Sequence, residues 1–413
     1  MKEINSSIVN NKLMTNIFLG TIVLILLLQN GPLHNMPIIL IIIPIFFCGQ
    51  KFVLLVGKNE KYVIYYGLYL LAVTLFNINK NYDLNYTINL LLQYLLIYIS
   101  VKIVIQKINK KDVLLFFRNI GIVISLLCLP EAITGVHFIA NFLGKQLGST
   151  TARVVSIFNH PIICGCFLVI TLILIIVYPL KKYSYQIILV SIILVAIVLT
   201  QSRSAWLATA ISLLAYFVRF HKNKINKKYL IYTCVFIGLI VTGTRIFNHN
   251  LFFVIWSFIY NRLNGSFEAG EGHIVRIEII LNAVDYWKEN IFSFIFGNGK
   301  NYGLLFMKNN PIHKFGTFTW DSAVDNQYIT LIFETGIIGL LFIINIILIN
   351  VKRFVRANKE DKEGIAVSLC LIGNSVCLFF FEGFNYPVLV LVFLIMIFIG
   401  DDNARIHSKE IQK

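Results

Sequence analysis

The sequence predicts an all-α polytopic membrane protein, on three observations: its composition, the recurrence of apolar runs and the placement of its basic residues. Of the 413 residues, 57% are hydrophobic and 14% charged, and the mean hydropathy is +0.77. A soluble globular domain does not have that composition. Apolar runs near membrane-spanning length follow one another along the chain. The formal net charge of +16 does not point to nucleic acid, because the lysines and arginines form short clusters on alternate loops, as the positive-inside rule requires. Nucleic acid is therefore excluded as a partner. The seven cysteines fall in or beside apolar runs without metal-site spacing, so they read as small packing residues.

Taken in order, the apolar runs lie at 13–29, 36–50, 62–76, 86–105, 113–130, 160–179, 185–201, 204–219, 230–247, 326–350, 365–381 and 387–400. This gives about twelve spans. Lys2 and Lys12 precede a first run with no small-residue cleavage pattern after it, so it is expected to be an uncleaved span with the N-terminus inside. Lys51, Lys58 and Lys61, then Lys107, Lys110 and Lys111, then Lys181 and Lys182, the cluster from Arg219 to Lys228, and Lys352 to Arg356 mark successive cytoplasmic loops. Both termini are expected in the cytoplasm and the chain in the cytoplasmic membrane. Three regions follow: 1–247 with spans one to nine, an extracytoplasmic loop at 248–325, and 326–413 with the last three spans and a cytoplasmic tail. The second and third runs are short enough to be tilted or re-entrant.

The long loop is where water-facing chemistry is expected. Within it, Ile274 to Glu289 has helical periodicity, with Glu278, Asn282, Asp285 and Glu289 on one stripe. Arg276 falls near the opposite side, with His273, Ile280, Ala283 and Trp287. A cation off the polar stripe is either a ligand-binder or a side chain snorkelling to headgroups.

A second outer segment, Glu131 to Asn159, holds Arg153 and leads into Phe158-Asn159-His160-Pro161. A third feature is Ser202-Arg203-Ser204 on the outer turn of a tight hairpin. There Arg203 shares a helix face with Trp206, Leu207 and Ala210, as a phosphate-binding cap or as a headgroup anchor.

These pieces, followed by Phe296-Gly-Asn-Gly299, Asp325-Asn-Gln-Tyr-Ile329 and Glu334-Thr-Gly-Ile-Ile-Gly339, occur in an order that resembles the O-antigen ligase and polymerase superfamily over about residues 150–345. The resemblance implies an outer-leaflet enzyme that moves a glycan from a polyprenyl pyrophosphate carrier to an acceptor hydroxyl. Arg203 and Arg276 match the family's pyrophosphate-binding arginines, Arg153 follows them and Arg262 matches less well. Guanidinium forks suit that task, since they bind phosphate oxygens bidentately and stabilise the leaving group.

Ligases of the family tend to carry a histidine where this chain has Asp325, which leans towards a polymerase. Asp325 is then either the general base for the acceptor hydroxyl or the cap of the helix beginning at Asn326. The leading expectation is a polysaccharide repeat-unit polymerase of capsule or O-antigen type, with inversion at the transferred sugar. A ligase is the near alternative, and a lipid-linked oligosaccharide flippase the alternative of another class. Against the last, intramembrane ionisable residues are few and no internal repeat is evident. Expected partners are the polyprenyl-pyrophosphate-linked oligosaccharide, membrane lipid, a chain-length regulator and a flippase.

No cofactor is expected. Asp321 and Asp325 could hold a cation between them, but the arginines supply the positive charge, so transfer is expected to be metal-independent. His160, His273 and His313 lack ligand spacing. Glu334 should lie roughly 13 Å down its span, where a carboxylate needs a partner, and Arg118 is a conceivable mate. Asp401-Asp402 resembles a sugar-nucleotide motif superficially and lies on the cytoplasmic side.

Overall fold

A computed structural model of the chain describes residues 2–28, 43–46, 56–80, 84–142, 153–158, 160–221, 271–314, 318–321 and 323–411. Most of the second expected span, the ninth span and the loop up to residue 270, including Arg262, lie outside the described residues.

Among the described residues, ten of the twelve expected apolar runs fall on helices and four residues of the second run are helical. The helices are α1 (Lys2–Leu28), α2 (Ile43–Phe46), α3 (Lys58–Phe76), α4 (Leu84–Ile105), α5 (Lys110–Thr134), α6 (Phe138–Phe142), α7 (Pro161–Val177), α8 (Tyr183–Leu199) and α9 (Arg203–His221). After the outer segment come α13 (Gln327–Arg356), α14 (Lys362–Leu378) and α15 (Pro387–Ile411). Three of these, Leu84–Ile105, Lys110–Thr134 and Gln327–Arg356, are long and apolar enough to cross a membrane, and shorter apolar helices cover Leu13–Leu27, Pro161–Val177, Tyr183–Leu199 and Pro387–Asp401. The chain is thus a mostly helical membrane protein.

Local signals set the helix ends. Asn109 caps α5 by accepting from Lys111 N at 3.1 Å, and Gly135, at φ 67°, ends it in the left-handed conformation that favours glycine. Pro161 occupies the first turn of α7, where its missing N–H is not needed. The apolar core is continuous across α1, α4, α5, α7, α8, α9, α13, α14 and α15, and the buried face of α7 spans nearly its whole circumference. Gly165 allows α7 to approach α9 so closely that a Cβ there would lie 2.7 Å from that of Ala205.

Residues 271–320 pack against the start of α13. They contain α10 (Glu271–Glu289), α11 (Ile291–Phe296), α12 (Tyr302–Asn309) and a two-stranded antiparallel hairpin, β1 (Ile312–Lys314) with β2 (Phe318–Trp320). The hairpin was not expected. Val275, Ile279, Ala283, Phe306, Met307, Ile312 and Val324 form a second core around Phe333, which α13 sends up into it. Rings of Tyr286, Trp287, Tyr302 and Phe306 pack on Phe333, the nearest with centroids 4.4 Å apart.

The amphipathic helix is present, with one correction to its faces. Asn282, Asp285 and Glu289 are exposed as expected, but Ile280 is 44% exposed. The buried face runs instead through Val275, Ile279 and Ala283, because the segment docks on Phe333, which lies to one side of the arc opposite the polar stripe.

Candidate functional site

The α13 helix carries the site because it is broken. Gly336 sits inside it at φ 63°, ψ −170°, a conformation open to glycine, and a Cβ there would lie 2.2 Å from the Ile295 carbonyl oxygen. The break frees carbonyls above it, and these are taken by the Gly297-Asn298-Gly299 turn: Asn298 N donates to Phe333 O and Gly299 N to Glu334 O, both at 2.9 Å. Backbone that leaves the helix at membrane depth survives only where protein satisfies it. Two sequence motifs, Phe296-Gly-Asn-Gly299 and Glu334-Thr-Gly336, therefore meet as one structural unit.

That unit fixes the Glu334 carboxylate, which is 1% exposed. Lys300 Nζ donates to its two oxygens at 2.9 and 3.0 Å and to Asn385 Oδ1 at 2.8 Å, while Asn301 N donates to Glu334 Oε1 at 2.9 Å. The expected mate, Arg118, is elsewhere. It closes the C-terminal end of α7 by donating to Tyr178 O at 2.8 Å, and its other bonds go to Asn119 Oδ1. Lysine reaches Glu334 from the turn before α12, a partner that span-by-span reading could not supply.

Asp325 directly precedes α13. Its φ of 55° turns the chain, and Asn326, not Asp325, caps the helix, accepting from Tyr328 N at 2.9 Å and Ile329 N at 3.2 Å. The capping role is thus taken, and Asp325 is free to face Arg276, whose Nη2 donates to its Oδ2 at 3.2 Å. Arg276 Nε is buried with no partner among the described residues. Burial pushes the Asp325 carboxyl above its usual value, and the Arg276 charge and hydrogen bond oppose that rise.

Arg153 and Arg203 converge on a neighbouring turn. Arg153 Nε donates to Thr200 O at 3.2 Å and Val154 N to Leu199 O at 3.3 Å, which ties the Arg153 segment to the Thr200-Gln-Ser-Arg203 turn where α9 begins. Glu131, buried at the end of α5, anchors the same segment by accepting from Val155 N at 2.9 Å and Ser156 N at 2.7 Å, and it also pairs with His137. Leu207 and Ala210 are exposed on α9, whereas Trp206 packs against the apolar core and donates its Nε1–H to Ile197 O at 3.1 Å.

The two arginine groups are joined by stacked rings. His160 lies on Phe381 with centroids 4.9 Å apart, and Phe381 lies on Tyr386 at the same distance. The Arg153 charge reaches His160 at one end, and the Asp325 charge reaches Tyr386 and Glu382 at the other. Burial first, and then Arg153, push the His160 ring down to about 4, so it is neutral, with Nδ1 accepting from Ile162 N at 3.3 Å. Asp321 is exposed, and no hydrogen bond to its side chain is formed among the described residues. The Asp401 carboxylate serves the opposite end of α3, where it accepts from Asn59 N, Asn59 Nδ2 and Glu60 N at 3.1, 2.9 and 2.8 Å.

Sequence reading missed Glu131, Lys300, Glu382 and Asn385. Glu382 had a signal: a carboxylate between Phe381 and Gly383 at the tip of an apolar hairpin is costly unless something nearby uses it.

No curated protein matches the chain. A family model described as O-antigen ligase matches residues 187–344, an interval that contains Arg203, Arg276, Lys300, Asp325 and Glu334 and excludes Arg153, Glu382 and Asn385. Over residues 187–344 the chain is therefore similar to the O-antigen ligase family, in line with the O-antigen ligase and polymerase-like superfamily that its motifs resemble.

Proposed function

We propose that the protein is a repeat-unit polymerase of the outer leaflet, transferring a glycan from polyprenyl pyrophosphate to an acceptor sugar hydroxyl. The family match supports the coarser activity, a membrane enzyme of O-antigen ligase or polymerase type. The observation that carries the finer reading is the Arg276–Asp325 pair with its spare buried Nε–H. A guanidinium held by one carboxylate can turn its fork to a pyrophosphate of higher charge, with Arg203 and Arg153 supplying further donors and Arg262, outside the described residues, a fourth.

Release from Arg276 frees Asp325 to act as base. The acceptor O–H gives its proton to the Asp325 carboxylate while the acceptor oxygen attacks the anomeric carbon from the face opposite the carrier. The bond from the anomeric carbon to the pyrophosphate oxygen breaks, its electrons pass to the pyrophosphate, and the arginines stabilise the charge that develops. Inversion follows from that geometry, and no cation is needed to carry the leaving group.

Arg203→Lys and Arg276→Lys test the reading, because lysine keeps the charge and loses the planar fork. Polymer formation should fall by about 100-fold or more, the scale of losing one transition-state donor, at normal membrane abundance. Full polymer production by both variants would return the two arginines to headgroup anchoring.

A further inference from the structure

Beside the Arg276–Asp325 pair lies a cavity of about 160 Å³, lined by Tyr86, Asn301, Leu304, Thr330, Glu334, Glu382 and Asn385. That is roughly ten times the space one water needs, enough for a single sugar ring. Its walls come from four separate places in the chain: the start of α4, the turn into α12, the upper half of α13 and the hairpin between α14 and α15.

The donors around it are drawn into protein bonds. Lys300 Nζ is bound to Glu334 and Asn385, Asn385 Nδ2 donates to Glu382 Oε2 at 2.7 Å, and Asn301 Nδ2 donates to Thr87 Oγ1 at 2.7 Å. What faces the cavity is therefore rich in acceptor oxygens. Glu334 has a cation to balance it, but among the described residues no cation pairs with Glu382. A space lined this way repels phosphate and suits a ligand that brings many O–H donors.

The cavity is also wired to the reacting end of the site. Glu382 Oε1 accepts from Val324 N at 2.6 Å and from Thr330 Oγ1 at 3.1 Å, so the residue before Asp325 hangs on the cavity wall. Burial pushes Glu382 up to about 7; the Val324 N–H and the Lys300 charge oppose the rise, and the Glu334 and Asp325 charges add to it. Its proton is thus shared near neutral pH, which suits a carboxyl that meets hydroxyls rather than one locked in an ion pair.

We propose that this cavity is the acceptor subsite: it takes an uncharged, hydroxyl-rich sugar ring, and Glu382 accepts hydrogen bonds from that ring's hydroxyls. The proposal rests on the transferase reading, and it divides the site in two. The arginines hold the anionic carrier of the donor, and the carboxylate-lined cavity holds the neutral end of the acceptor, with Asp325 between them.

The test uses the full-length protein in nanodiscs and two probes: the repeat-unit saccharide freed from its carrier by mild acid, and polyprenyl pyrophosphate. Each is titrated by its shift of the melting temperature. Leu304→Trp fills the cavity, and Glu382→Gln keeps the shape while weakening the acceptor. The saccharide should stabilise the wild-type protein, bind at least 10-fold more weakly to Glu382→Gln and fail to stabilise Leu304→Trp, while polyprenyl pyrophosphate stabilises all three equally. No stabilisation of the wild-type protein by the saccharide would overturn the subsite, as would equal saccharide binding to the variants. A parallel loss of both probes would show that the residues only hold the fold. The transferase reading fails separately, if wild-type protein given lipid-linked donor forms no polymer.

Discussion

Replacing Lys300 with methionine isolates the interaction that joins the turn before α12 to the broken helix. The ammonium lies 2.9 and 3.0 Å from the Glu334 oxygens, and the side chains are 2% and 1% exposed. At an effective dielectric constant of about 20, two unit charges 2.9 Å apart attract by roughly 6 kcal/mol. Desolvation of both ions consumes much of that, so the pair contributes little against an apolar substitute, but removing one partner strands the other. In Lys300→Met, Glu334 would keep only the Asn301 N–H and Asn385 Oδ1 would lose its donor. The loss should be about 3–5 kcal/mol, the scale of breaking a buried pair. The double variant Lys300→Met/Glu334→Gln removes both charges and retains an acceptor for Asn301 N, so it should be less destabilised than Lys300→Met alone. Reversible unfolding in mixed detergent micelles measures both. A loss below about 1 kcal/mol in Lys300→Met, or a double variant equal to the sum of the singles, would refute the view that this ion pair acts as one unit.

The His160 ring, at about 4 in the folded protein, sits below its unfolded value of about 6.5. The folded state therefore binds fewer protons, and its stability, complete above about 6.5, should fall as pH drops towards 4, by roughly 3 kcal/mol in all. His160→Phe keeps a ring on Phe381 and should abolish that contribution to the slope of unfolding free energy between pH 6.5 and 4; an unchanged slope would remove His160 as its source. For topology, single cysteines at the exposed positions Asn309 and Lys359 should behave oppositely towards an impermeant thiol reagent, since the native cysteines of the described residues are buried. Asn309→Cys should react in intact cells and Lys359→Cys after permeabilisation alone, and the reverse pattern would invert the assigned orientation.

Periodicity and charge placed the apolar stretches of the described helices, though α1 begins at Lys2 and α15 runs on to Ile411, because a chain with this apolar content satisfies its backbone in lipid chiefly by helix. The same local signals marked the amphipathic segment around Arg276 and the Ser-Arg-Ser turn, since a helix face is fixed by spacing of 3.6 residues alone. They did not show which element each face would meet. The Lys300–Glu334 pair spans 34 residues, the Glu382 hairpin reaches Val324 across 58, and Glu131 holds the Arg153 segment from 24 residues away. Each depends on how helices stack, and the sequence contains no local record of that.

The sequence by itself determined the helical segments and the expected membrane sides of the arginines. It also marked the glycines at 297, 299 and 336, whose positive φ values, 80°, 94° and 63°, favour a residue without a side chain. The tertiary structure alone decided that two of those glycine motifs interlock, that Asn326 rather than Asp325 caps α13, and that Glu334 is neutralised by Lys300. A buried charge will take whichever counter-ion packing brings within hydrogen-bond reach. That choice is made by the assembled helices, because the partner's distance along the chain has no bearing on its distance in space.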